Sequence, residues 1–421
     1  MIKQKITTPK FQVFVWSLFD FANSSFSIMI ITVGFPLFFK EVIVGDSGRG
    51  DLFWGIAISM SMLLTAIVAP ILGAASDFSH RRKRFLFGFT ILSVISTALL
   101  YFINPGMIIP AMILLILANV GFEGGIVFYD SFLPMIAPKE SYGRVSGYGF
   151  AFGYIGSLIT LIIAIPLYAK GFIPENFANI KLSFVISAAI FFVFSIPLFA
   201  FLRDHRITFN HKVSFLAMGF RRVKRTISHL KNYKNVATFL LAFFIYNDGI
   251  LTIISFSSIF AKQTLHFELN EVFILFAIVQ ISAFVGSIVF GIFTDHYGPK
   301  KTITITLLNW ILVVVLSFFV TDKFSFFLIA TLAGVSLGSS QASSRSLMAQ
   351  LTPKEHEAEF FGFYDGFCGK ASAVVGTFLF GLISYLMNDQ RLAVLTIGIF
   401  FIVGLIILQF VDDKQVITEE L

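Results

Sequence analysis

Apolar runs bounded by polar or basic clusters recur along this chain. A run of about 20 such residues crosses a hydrocarbon core as a helix. The pattern predicts twelve transmembrane helices, near 11–39, 52–74, 85–103, 107–130, 144–168, 182–202, 236–260, 271–293, 302–320, 325–349, 358–386 and 392–411. The longest polar interruption divides them six and six. The expected organisation is an N-terminal six-helix bundle over 1–202, a cytoplasmic linker over 203–235 and a C-terminal six-helix bundle over 236–421. Within the linker, Val213, Leu216, Phe220, Val223, Ile227 and Leu230 recur at spacings of three and four, with Arg221, Arg222, Lys224, Arg225 and Lys231 between them. This is the pattern of a basic amphipathic helix lying on an anionic leaflet.

The two halves repeat each other. GAASDFSHRRKR, from Gly73, follows span 2, and GIFTDHYGPKKT, from Gly291, follows span 8 at a constant offset of 218. At an offset of 215, Pro138, Lys139, Glu140 and Gly147 align with Pro353, Lys354, Glu355 and Gly362. A parallel six-plus-six repeat is the layout of a transporter that rocks two bundles about a central site.

Composition sharpens this picture. Of 421 residues, 57% are apolar and 13% charged, with a mean hydropathy of +0.86, which excludes a soluble globular domain. Lysine and arginine crowd the N-terminal tail and the loops after even-numbered spans, whereas the opposite loops carry only Lys40, Arg49, Lys170, Lys181, Lys262, Lys323 and Arg391. Both termini are therefore expected in the cytoplasm, with the chain in the cell (inner) membrane. The net charge of +7 then reflects topology and not nucleic-acid binding. The apolar run after the N-terminal tail is too long for a signal segment, so the first helix is expected to stay in the protein. A single cysteine, Cys368, precludes an internal disulfide. The 55 phenylalanines read as lipid-facing bulk. No P-loop, HExxH, GxSxG or Cys/His cluster occurs, so neither an enzyme nor a cofactor or metal site is expected.

The loops GAASDFSHRRKR and GIFTDHYGPKK resemble the signature that follows helices 2 and 8 in the major facilitator superfamily. FDFANSSFS in span 1, GGIVFYDSFLPMIAPKESYGRVSGYGFAFGYIGS across spans 4 and 5, FFIYNDG in span 7 and SSQASSRSLMAQLTPKEHEAEFFGFYDGFCGKASA across spans 10 and 11 are similar to the vacuole-effluxer family within it. The resemblance implies an all-α membrane fold and, from fungal members, release of amino acids. The loop signature is imperfect: Phe78 and His80 stand where arginine and glycine are usual, and Pro299 stands opposite Arg81.

Charges inside spans are costly, so each is a candidate functional group. Asp20 lies about 14 Å into span 1, with Asn23 and Ser27 on the same stripe. Tyr246, Asn247 and Asp248 lie at comparable depth in span 7, and Lys370 in span 11. These seven are the expected substrate-binding residues, since acids facing a lysine match the two ends of a zwitterion. Glu123, Asp248 and Asp365 are the candidates for carrying protons. Asp130 and Arg345 occupy the same repeat position with opposite charge, which suggests gating. Asp77, Arg81 and Asp130 are expected to cluster at the cytoplasmic end, joined from the other half by Asp295, Lys300 and Arg345. Thr352, Pro353 and Glu355 read as a capping box opening span 11.

The reading that joins these features is a monomeric secondary transporter, in contact with membrane lipids, exporting small polar solutes such as amino acids by alternating access, with protons as a candidate coupling ion. Two alternatives share the pattern. One is an exporter of amphipathic or lipid-like compounds, with a phenylalanine-dominated cavity and no charge requirement. The other is a non-transporting sensor working through the basic linker.

Overall fold

The computed structural model describes residues 9–45, 47–202, 224, 233–354, 356–387 and 390–412. The linker helix predicted between residues 213 and 231 lies outside the described residues apart from Lys224. Among the described residues the secondary structure is helical, without strands. That is the expected consequence of a bilayer, where each backbone N–H and C=O must be satisfied within its own segment.

The first crossing, α1, joins the helical segments Pro9–Phe26, Ser27–Thr32, Gly34–Phe38 and Phe39–Val44. It is followed by α2 (Ser47–Ser79), α3 (Arg82–Leu99), α4 (Ile108–Asp130), α5 (Tyr142–Tyr168) and α6 (Phe177–Phe201). The second half comprises α7 (Lys234–Thr264), α8 (Leu269–Tyr297), α9 (Pro299–Phe319) and α10 (Lys323–Leu351). The chain continues with α11, built from Glu357–Phe361, Gly362–Cys368, Gly369–Ala371 and Ala373–Met387, and ends with α12 (Gln390–Gln409). Eleven of these are long and apolar enough to cross a membrane. The twelfth, α11, is interrupted by a turn at Ser372.

Two crossings depart from the plain α-helices expected. Ser27–Thr32 and Phe39–Val44 in α1, and Gly362–Cys368 in α11, are wound as π-helix. In α1 Pro36 lacks an N–H and crowds the carbonyl four residues earlier, at Thr32, where the first of these runs ends. In α11 the run holds Gly362 and Gly366 and is followed by Gly369, and glycine is a poor helix former. Such insertions change the direction of the side chains that follow.

Small residues set the packing within each half. A Cβ on Gly156 of α5 would sit 2.2 Å from the Phe21 carbonyl of α1, and one on Gly338 of α10 would sit 2.0 Å from the Ala283 carbonyl of α8. Such backbone contact is how helices associate where lipid removes the hydrophobic drive. Phenylalanine is not only lipid-facing bulk. Phe35, Phe38, Phe39, Phe128 and Phe132 are fully buried between helices, because a large flat ring fills the gaps that glycine-spaced helices leave.

The halves meet along α2 against α11 and α5 against α8. Odd-numbered helices run away from the end that holds the N-terminus and even-numbered helices return to it. That end, rich in lysine and arginine, is called the basic end below.

Candidate functional site

The basic end is closed by two related seams. At the end of α2, Asp77 accepts hydrogen bonds from the backbone N–H groups of Ala358 (3.2 Å) and Glu359 (2.8 Å), in the first turn of α11. Arg82 at the start of α3 donates from Nε to Asp77 at 2.8 Å and pairs with Glu357 at 2.5 Å. The first turn of α11 has no side-chain cap from its own half, so Asp77 supplies a cap's acceptor and negative charge from across the interface. On the other seam, Asp295 at the end of α8 accepts from Arg144 N (3.2 Å) and Arg144 Nε (3.1 Å) at the start of α5. The sequence offsets of 218 and 215 map Asp77 onto Asp295 and Glu359 onto Arg144. The repeat seen in the sequence is therefore a pseudo-twofold axis through the gate.

Glycines bring these seams into backbone contact. A Cβ on Gly73 would lie 2.2 Å from the Ala358 carbonyl, and one on Gly147 would lie 2.2 Å from the Ser287 carbonyl.

A second layer lies deeper. Arg345 of α10 is 1% exposed and reaches across the axis to Asp130 at 2.7 Å, its own repeat image, and to Asp20 at 3.3 Å. It also donates to the hydroxyl and carbonyl of Ser146, at 2.9 and 2.7 Å. The guanidinium lies 3.9 Å from the Phe150 ring centroid and 4.8 Å from that of Trp16. Tyr129 donates to Asp20 at 2.9 Å, and Asp365 of α11 is within hydrogen-bond reach of Asp130. Asp20 and Asp130 thus share one guanidinium in a water-poor interface, with Asp365 beside Asp130. A hydrogen bond between two carboxyl groups requires that one of them carry a proton.

The other candidate residues within the spans also have protein partners. Lys370 meets Glu123 of the other half at 2.5 Å. Asp248 accepts from the backbone N–H of Gly376, at 2.9 and 2.8 Å for its two oxygens. Asn247 donates to Ser372 at 2.9 Å, and the Tyr246 hydroxyl lies 2.7 Å from that of Ser344. Since Ser344 is the image of Tyr129, the partner of Asp20, the hydrogen-bond pattern matches Asp20 with Tyr246.

Beyond these layers, on the side away from the basic end, lies a cavity of about 250 Å³. It is bounded by α1, α5 and α7–α10, with Ser27, Ser157, Ser257 and Gln280 among its polar residues. Of the seven expected substrate residues, Ser27 alone lines it, at the start of the π-helical turn of α1. Asp20 and Asn23 sit in the gate, while Tyr246, Asn247 and Asp248 tie α7 to α10 and α11.

A family model described as "Vacuole effluxer Atg22 like" matches residues 53–144 and 139–420. The chain belongs to this vacuole effluxer Atg22-like family. It is 33% identical over 407 residues to the "Uncharacterized MFS-type transporter YxiO" of Bacillus subtilis, covering 95% of this chain and 94% of that protein. It is 22% identical to "Autophagy-related protein 22" of Kluyveromyces lactis, covering 90% of this chain and 82% of that one. The fold matches that of the major facilitator transporter FucP, solved in its outward conformation, with a TM-score of 0.75, 14% identity and coverage of 98% and 99%. The fold is therefore the major facilitator fold, two six-helix bundles, and the protein is a membrane transporter of that superfamily.

Within this Atg22-like chain the gate differs from the sequence expectation in four details. Arg82, and not Arg81, supplies the guanidinium on Asp77, because α3 begins at Arg82 and turns its side chain inward, leaving Arg81 exposed. Lys300, the repeat image of Arg82, bonds the carbonyls of Gln409 and Val411 at the end of α12 and stays within its own half. Asp77 and Asp130 belong to separate layers and not to one cluster. The first helical turn of α11 begins at Glu357, so Pro353 precedes it by a non-helical stretch, and Thr352 bonds back to the Met348 carbonyl at the end of α10; Glu355 lies outside the described residues. Glu357, Arg144 and Tyr129 were not anticipated. Arg144 could have been found from the repeat, since it is the image of Glu359; nothing in the sequence singles out the others.

Proposed function

We propose that this protein is a proton-coupled secondary transporter that exports its solute by alternating access, and that the structure is its outward-facing state. The lysine and arginine asymmetry supports cytoplasmic termini, which makes the closed basic end the cytoplasmic gate and opens the cavity side outward. The description of the family as vacuole effluxers supports the direction.

The observation that carries the coupling is the cluster of Asp20, Asp130 and Asp365 around Arg345. Arg345 and Lys370 offset two units of negative charge against the four carboxyl groups of Asp20, Asp130, Asp365 and Glu123, and unpaired carboxylates at membrane depth are unfavourable. The closed gate therefore holds a proton between Asp130 and Asp365. When the basic end opens, α4 and α10 separate, Arg345 withdraws and water reaches the pair. The proton then leaves to the cytoplasm while the site faces inward to load solute.

Amino acids enter this reading through Asp20, Asp248 and Lys370, each of which is engaged by a protein partner in this state. A difference infrared measurement tests the proton directly. The wild-type protein at neutral pH is expected to show a protonated-carboxyl C=O band that is lost in Asp365→Asn. An infrared spectrum without that band, or one in which the band survives Asp365→Asn and Asp130→Asn alike, overturns the coupling.

A further inference from the structure

At the basic end, α3 has two unlike faces. Arg82, Leu86 and Thr90 turn inward and are buried, whereas residues between them line an open groove of about 390 Å³. Arg81 and Arg84 stand at its head, and both are exposed. Phe85, Gly88, Phe89 and Leu92 continue it along the helix, so that Leu92 lies about 12 Å beyond Arg84 at 1.5 Å per residue. No acidic residue is among the described residues that line it. Its one hydroxyl, that of Ser79, donates to the Ser76 carbonyl at 3.2 Å.

The apolar part is preformed. Phe85 and Phe89 both stack on Phe128 of α4, with ring centroids 5.4 and 5.6 Å apart, which holds the two rings in place. Between them Gly88 leaves the groove open, since a Cβ there would meet nothing within 4 Å.

Two guanidinium groups above an apolar trough match the two parts of a lipid. Arginine meets phosphate oxygens with paired N–H donors, and arginines at a helix end reach the headgroup level while the helix below them faces acyl chains. A free phosphate would leave the trough unused, and an uncharged chain would leave the arginines without a counter-charge. The linker of this chain is a poor occupant, because its Arg221, Arg222, Lys224, Arg225 and Lys231 have the same sign as the head of the groove. We propose that the groove binds one anionic phospholipid of the surrounding leaflet, with its phosphate at Arg81 and Arg84 and one acyl chain laid against Gly88 and Leu92. Such a site does not depend on the proton cluster, which lies among Asp130, Asp365 and Arg345.

The test is native mass spectrometry of the delipidated full chain, titrated with phosphatidylglycerol or with phosphatidylcholine carrying identical acyl chains. The dissociation constant of the first lipid adduct is read for each. The wild type is expected to hold phosphatidylglycerol about tenfold more tightly than phosphatidylcholine. Arg81→Gln with Arg84→Gln should weaken phosphatidylglycerol by about tenfold or more. Gly88→Leu, which fills the trough and leaves every charge in place, should weaken both lipids. Lys139→Gln with Lys354→Gln removes two exposed charges elsewhere at the basic end and should change neither. Equal affinity of the wild type for the two lipids overturns the proposal. So does phosphatidylglycerol binding that survives the arginine pair or Gly88→Leu unchanged, or that falls as far with the lysine pair as with the arginine pair.

Discussion

Asp77 is the most informative single position at the gate. Its carboxylate accepts two backbone N–H groups from the opposite half and pairs with Arg82. Asp77→Asn keeps the shape but removes the charge, and its amide group would turn an NH2 toward one of those N–H donors. A hydrogen bond to a charged group contributes about 1.5–3 kcal/mol. Losing one of them and weakening the rest should therefore cost the closed gate about 2–3 kcal/mol. At about 1.4 kcal/mol per tenfold, that is a shift of roughly 30- to 150-fold toward the state open at the basic end. The change is readable with spin labels at Lys139→Cys and Lys354→Cys in a Cys368→Ala background. These two positions are exposed, repeat-related and on opposite halves at the basic end. The wild type should give one short inter-label distance, and Asp77→Asn should add a longer one. Asp77→Asn combined with Asp295→Asn strips both seams and should make the longer distance dominant. If the folded double variant gives the wild-type distribution, the two aspartates do not hold the gate.

Gly147→Leu should have the same effect on the labels by a steric route. Its Cβ would meet the Ser287 carbonyl at 2.2 Å, and overpacking of this kind costs about 1–3 kcal/mol; an unchanged distance would mean that the α5–α8 seam does not need to close. Lys370→Met should lower the thermal midpoint markedly, because removing one partner of a buried pair leaves the other uncompensated at about 3–5 kcal/mol. The double variant Lys370→Met, Glu123→Gln should recover much of that loss, and a midpoint as low as that of the single variant would show that the pair is not coupled. Arg345→Lys keeps a charge but cannot reach Asp130, Asp20 and Ser146 together as the guanidinium does. It should therefore populate the longer label distance, and a wild-type distribution would show that charge alone suffices.

How far the sequence could be read follows from what kind of order each feature has. Helix number and the internal repeat are written in local runs and offsets, and the alignment of Asp130 with Arg345 suggested gating without saying that the two side chains pair, as they do at 2.7 Å. Side-chain direction at a helix end is not local in that sense. Arg81 and Arg82 are adjacent, and only the point where α3 begins decides which faces Asp77. Depth in a helix likewise gave no account of partners. Asp20 and Asp248 lie in corresponding helices of the two halves, yet one faces Arg345 and the other the backbone of Gly376, because tertiary packing, not span position, chooses the neighbour. The cavity was hidden for a further reason: its lining is drawn from mainly apolar sequence on six helices, which no local pattern brings together.

The account makes the closed basic end the state that holds the proton, and linkage fixes the sign. A state that binds more protons gains population as pH falls and loses it as pH rises. The decisive measurement is the distance between labels at positions 139 and 354 as a function of pH, in the wild type and in Asp365→Asn. The wild type should shift from the short to the long distance as pH is raised, and Asp365→Asn should show a distribution independent of pH. A wild-type distribution that does not move with pH, one that opens as pH falls, or a pH response fully retained in Asp365→Asn would contradict the coupling of the gate to this proton.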